Sequence, residues 1–166
     1  MRERRPRLQT FDYVGPYRYF LTFCTHQRQR VFYSSDVVDA VLAQILRASR
    51  ENDFAVVAYC FMPDHLHLLL EGTAQNSDLR RLARDAKQYS GFHGKRLVGG
   101  PLWQPSYHDR VLRDDEDTWG VARYIVENPL RAGLAQRADE YPFLGSATVA
   151  IKELLAFVGA AKPRMP

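Results

Sequence analysis

The sequence predicts an α+β fold, a ferredoxin-like sandwich with a mostly antiparallel sheet and helices packed on it. Three observations carry that reading. Strand-like and helix-like segments follow one another in the order strand, helix, hairpin, helix, strand, helix. Pro63-Asp64 is a turn signal between two runs of strand composition, which makes them a hairpin. The length of 166 residues suits one domain, and a chain of that size buries about 70% of its extended surface, enough for a real core. No internal repeat or long linker divides the chain, so 1–166 reads as a single domain with a basic arm at 1–12 and a tail or short helix at 148–166.

Each element has its own signal. Tyr17 to Cys24 is aromatic and β-branched enough for a strand. Ser34 or Ser35 caps a helix in which Val37, Val38, Val41, Leu42, Ile45 and Leu46 recur at three- and four-residue steps until about Asn52. Phe54 to Met62 and His65 to Glu71 are the two arms of the hairpin. A second helix runs from Asn76 or Ser77 to Tyr89, with Leu79, Leu82, Ala86 and Tyr89 on one stripe, and Gly91, Gly94, Gly99 and Gly100 break the chain after it. A strand is expected between Trp103 and Leu112. The acids from Asp114 to Asp117 suit a helix N-terminus, and that helix should stop near Glu127 because Pro129 disfavours α geometry at Asn128. Leu154 to Ala161 adds a short terminal helix.

Composition narrows the function. Apolar residues make up 46% and charged residues 25%, which excludes a disordered or low-complexity chain. Lys and Arg number 23 against 19 acids, a formal charge of +4, and the surplus is mostly arginine, whose planar fork suits phosphate. Cys24 and Cys60 form neither a disulfide framework nor a metal knuckle, which points to a reducing cytoplasm. The basic start leads into no apolar segment, and no stretch reads as a membrane span.

His65-Leu66-His67 is the most informative triplet. Alternate residues of a strand share a face, so the two imidazoles stand side by side while Leu66, Leu68 and Leu70 point to the other face. Two neutral imidazoles so placed can chelate one divalent ion with a third ligand from elsewhere; histidines satisfied in the core or at the surface give the same spacing.

Met62-Pro63-Asp64-His65-Leu66-His67, Leu102-Trp103-Gln104-Pro105, His108 through Asp117 and Tyr124 through Leu134 resemble, in that order, the REP-associated tyrosine transposases. These are relatives of the IS200-like transposases within the HUH endonuclease superfamily. The resemblance covers about residues 5 to 147, closing on Tyr141-Pro142 and Gly145-Ser146. It implies a ferredoxin-like fold, a divalent metal, and one tyrosine that cleaves single-stranded DNA.

On a helical wheel Trp119, Ala122, Ile125 and Val126 make one apolar stripe, with Tyr124 and Asn128 together on the other side. By itself that describes an amphipathic surface tyrosine. The resemblance makes Tyr124 the nucleophile and Asn128 the polar residue one turn later that completes the metal site with His65 and His67. Insertion-sequence relatives carry glutamine there, so the shorter Asn128 leaves ligation direct or through water. Tyr89 and Tyr107 are rival nucleophiles with packing roles of their own.

The chemistry implied is attack by the phenol on phosphorus, which leaves a covalent 5′-phosphotyrosine for later strand joining. Mg2+ or Mn2+ fits oxygen-rich substrate ligands. Candidate phosphate contacts are Arg2, Arg4, Arg5 and Arg7 in the arm and Arg80, Arg81, Arg84, Lys87, Lys95 and Arg96 around the second helix. Phe11, Tyr13, Tyr17 and Tyr19 are candidates for stacking on bases or for strand packing. The partner is single-stranded or hairpin DNA, bound by a monomer or a homodimer. The competing class is a non-catalytic nucleic-acid binding domain with the same fold, but the chain lacks an aromatic RNA-recognition strand motif. A two-histidine phosphodiesterase is disfavoured because only one His-Leu-His occurs.

Overall fold

The computed structural model describes residues 10–160. Arg2, Arg4, Arg5 and Arg7 lie outside the described residues. The elements are β1 (Arg18–Cys24), α1 (Ser35–Glu51), β2 (Phe54–Met62), β3 (His65–Gly72), α2 (Leu79–Val98), β4 (His108–Leu112), α3 (Asp115–Arg131), β5 (Leu144–Gly145) and α4 (Ile151–Ala160). The sheet order is β4-β1-β3-β2-β5, and every neighbouring pair is antiparallel. This is the expected ferredoxin-like core, in which two β-α-β units interleave.

Helices cover both faces of the sheet. On one face α1 and α2 bury Val41, Ile45, Leu79 and Leu82 against Tyr19, Leu21, Phe23, Leu66, Leu68 and Leu70. On the other, α3 and α4 bury Ile125, Val126, Leu154 and Val158 against Ala58, Cys60, Met62 and Leu69. The continuous apolar run of β2 serves both cores. Its pairing with β3 shifts register between Val56 and Ala58, so Val56 faces the first core and Ala58 the second.

Helix ends differ from the expectation at two places. The second helix does not stop at Tyr89 but continues through Gly91 and Gly94 to Val98, capped by Gly99 in the left-handed region at φ +78°. Gly94 is a packing glycine: a Cβ there would lie 2.7 Å from Leu102 Cδ2. The third helix does not stop at Glu127 but carries Pro129 inside it to Arg131. Pro129 has no N–H for the Ile125 carbonyl, yet it is buried, and packing holds the helix past the local preference. Its start is as expected, with the Asp114 carboxylate accepting from Asp117 N at 2.8 Å.

The segment from Trp103 is a strand only from His108; Trp103 itself makes one isolated bridge to Thr25. The last helix starts at Ile151, three residues earlier than the apolar pattern suggested. Among the described residues, no helix is long and apolar enough to cross a membrane.

Candidate active site

β3 is central, so its histidines are held from both sides. His67 lies opposite Thr22 of β1 and Cys60 of β2; His65 lies opposite Cys24 and Met62. Both imidazoles project to the α3 face, where their Nε2 atoms come within 3.1 Å of each other. His65 Nδ1 is 2.7 Å from the Asp64 carboxylate, and His67 Nδ1 is 2.8 Å from the Thr22 hydroxyl. Asp64 is held in turn by Arg28, whose Nε is 3.0 Å from its other oxygen.

Burial keeps both rings neutral. It pushes His67, only 5% exposed, down to about 3. His65 is lowered as well, with burial outweighing the opposing pull of Asp64. Burial works against Asp64 ionising, but its hydrogen bond to His65 and the charge of Arg28 bring it below the ordinary carboxylate value. An ionised Asp64 requires His65 to carry its proton on Nδ1, which leaves His65 Nε2 as a bare lone pair. With that tautomer, His67 Nε2–H donates to His65 Nε2, and Thr22 donates to His67 Nδ1.

α3 crosses this face and brings Tyr124 to the pair. Its ring is 5.5 Å from the His67 ring, edge-on, and 5.7 Å from Phe20. The side chain remains 40% exposed. Arg131 lies over the other part of the phenol at 4.5 Å and donates from Nη2 to the Tyr124 carbonyl at 2.7 Å. The tyrosine is therefore fixed between an aromatic, an imidazole and a guanidinium.

Asn128 follows Tyr124 by one turn, and its amide nitrogen is buried without a hydrogen-bond partner among the described residues. A half-turn of the amide would present the oxygen instead, so the position offers a polar group that the protein itself leaves unused. No group of three or more His, Cys, Asp or Glu able to hold a metal ion occurs among the described residues. The two imidazoles converge on each other, and Asn128 lies one turn beyond Tyr124 on α3.

The remaining predicted residues are not brought to this site. Arg80, Arg81 and Arg84 are exposed on α2, on the opposite side of the sheet. Lys87 donates to the carbonyls of Gln104, Pro105 and Ser106 at 2.5, 2.8 and 3.2 Å, so its three protons tie down a loop rather than awaiting phosphate. Tyr89 is also on α2, with its hydroxyl donating to Glu51 Oε2 at 2.9 Å. Tyr107 packs edge-on against Phe23 in the α1/α2 core. Tyr13 and Tyr19 are core residues rather than stacking platforms; Tyr17 is exposed.

Sequence reasoning missed Thr22, Asp64, Arg28 and Arg131. Arg131 was accessible on the wheel, because seven residues return to the same helix face. Thr22 was not, since its role depends on the register between β1 and β3.

A ferredoxin-like sheet carrying a His-Leu-His pair on its central strand, with a tyrosine-bearing helix crossing that face, defines a member of the HUH endonuclease superfamily. Within it the chain belongs to the IS200-like transposases, whose family model matches residues 14–128. It is accordingly an enzyme that cuts and transfers DNA strands. The ISDra2 transposase TnpA of Deinococcus radiodurans is 35% identical over 124 residues, covering 70% of this chain and 86% of that one. The REP-associated tyrosine transposase of Escherichia coli K12 is 24% identical over 100 residues, covering 60% and 58%. The structure of a REP-associated tyrosine transposase bound to a REP hairpin superimposes with a TM-score of 0.70 at 19% identity, over 84% of this chain and 82% of that one.

Proposed function

We propose that the protein cleaves single-stranded DNA near a hairpin through a covalent bond between Tyr124 and the 5′ phosphate. The observation that carries this reading is the convergence of the His65 and His67 Nε2 atoms beside the Tyr124 phenol. A binding module has no need of two converging neutral imidazoles next to a partly exposed tyrosine ring.

His65 and His67 would hold Mg2+ or Mn2+, with Asn128 contributing directly or through water. The chemistry such an ion supplies when bound is neutralisation of charge on the phosphoryl oxygens. The protein supplies the rest. Phe20, His67 and Arg131 hold the phenol so that its oxygen attacks phosphorus and forms a phosphotyrosine. The phenol gives up its proton to solvent as it attacks; the bond to the 3′ oxygen breaks, and that oxygen leaves with the bonding pair and takes up a proton to become a free 3′-hydroxyl. Reversal with a new 3′-hydroxyl joins strands. His65, His67 and Tyr124 come from one chain, which supports a monomer as a sufficient unit. Two free, buried cysteines support a reducing cytoplasm as the compartment.

The test is incubation of wild type and Tyr124→Phe with an end-labelled hairpin oligonucleotide and Mg2+ on a denaturing gel. Wild type should yield a free 3′-hydroxyl fragment and a protein-linked 5′ fragment. The variant should bind the DNA and yield neither; cleavage by the variant would refute the assignment.

A further inference from the structure

The helices α2 and α3, on opposite faces of the sheet, differ sharply in charge. α2 carries Arg80, Arg81, Arg84, Lys87, Lys95 and Arg96 against the single acid Asp85. α3, which bears Tyr124, carries Arg123 and Arg131 against Asp115, Glu116, Asp117 and Glu127. A formal surplus of +4 for the whole chain is therefore exceeded by α2 alone, and the helix over the reactive face is acidic. α2 thus concentrates positive charge on the side of the sheet away from the proposed site.

On α2 the exposed residues Arg81, Arg84, Gln88, Phe92 and Lys95 recur at intervals of three and four, forming one solvent-facing stripe. Arg84 touches Asp85 at 2.9 Å yet keeps two-thirds of its side chain in solvent. Phe92 is 64% exposed, and the Arg96 guanidinium lies 5.6 Å from its ring centre. Among the described residues Phe92 belongs to neither core; it meets His93 edge-on at 5.5 Å. An exposed ring beside a guanidinium, in line with a row of cations, is the pairing that engages unpaired bases and their phosphates together.

We infer that the α2 stripe is a second DNA subsite, which binds an unpaired segment of the substrate strand by phosphate contacts to Arg81, Arg84 and Lys95 and base stacking on Phe92. The inference rests on the proposed single-strand substrate. The bound strand must then pass around an edge of the sheet, so α2 anchors DNA remote from the phosphate that Tyr124 attacks.

The experiment measures fluorescence anisotropy of a labelled single strand across a salt series, for wild type, Arg81→Gln/Arg84→Gln/Lys95→Gln and Phe92→Ser. Each lost single-strand phosphate contact lowers the log–log salt slope by ~0.7, so the triple variant should lose about 2. Phe92→Ser should weaken binding with the slope unchanged. Plain duplex should be indifferent to Phe92. The binding defect should vanish as the oligonucleotide is shortened around the cleavage site. An unchanged slope in the triple variant, or a defect that persists with the shortest cleavable oligonucleotide, overturns the inference. Absence of an adduct in wild type would instead defeat the underlying reading of the enzyme.

Discussion

Thr22 lies outside any motif yet touches the proposed site through His67. Its hydroxyl both donates and accepts, so His67 can pass its proton from Nε2 to Nδ1 without losing the bond between them. Thr22→Val should therefore weaken Mn2+ binding by about 10- to 100-fold, the range usual for a lost partner of a ligating histidine. Thr22→Ser should restore it, and calorimetric titration of Mn2+ measures both; equal affinities for valine and threonine would remove Thr22 from the account. Burial of His67 also has a pH consequence. Its value falls from 6.5 unfolded to about 3 folded, so the unfolded chain takes up the proton first. Stability is complete above about 6.5 and should fall by up to about 1.4 kcal/mol per pH unit on acidification. Urea unfolding of the metal-free protein at pH 7 and pH 5 should show wild type losing about 2 kcal/mol more than His67→Gln; equal losses would mean the ring titrates normally. His65, His67, Tyr124 and Asn128, the residues of the proposed site, were legible because strand and helix periods and the family resemblance name them. Thr22 and Arg28 were not, because long-range register places them.

At the scale of elements, β1 to β4 and α1 followed their local signals, β5 had none, and α2 and α3 overran theirs. In both cases packing decided. Gly94 lies under Leu102, and a buried Pro129 continues α3 into the turn that contains Arg131. A local rule read Gly91 and Gly94 alike, but their surroundings differ. Gly91→Ala meets nothing nearer than Trp103 Cδ1 at 3.7 Å and should stabilise the helix by up to about 1 kcal/mol. Gly94→Ala meets Leu102 at 2.7 Å and should destabilise by about 1–3 kcal/mol. Thermal unfolding of the two variants tests this, and shifts of the same sign would contradict the packing argument.

For the whole molecule, one sheet is shared by two cores, and the proposed site lies at the boundary of the second. The sequence alternation in β3 announced the first core through Leu66, Leu68 and Leu70. The second was harder to see, because Ala58, Cys60 and Met62 lie behind a register shift that no composition reveals. Since β2 and β3 line both cores, we expect the chain to unfold as one domain. Fluorescence of variants retaining only Trp103, in the first core, or only Trp119, against Phe157 of α4, reports the two sides separately. Coincident transitions are expected; two separate midpoints would make the α3/α4 layer an independent unit.

The central claim is that Tyr124 is the atom-for-atom site of attachment. Mass spectrometry of the protease-digested DNA adduct tests it most directly. The nucleotide should be found on the peptide containing Tyr124, and Tyr89→Phe and Tyr107→Phe should form the same adduct. DNA on Tyr89 or Tyr107, or cleavage with no adduct, would contradict it.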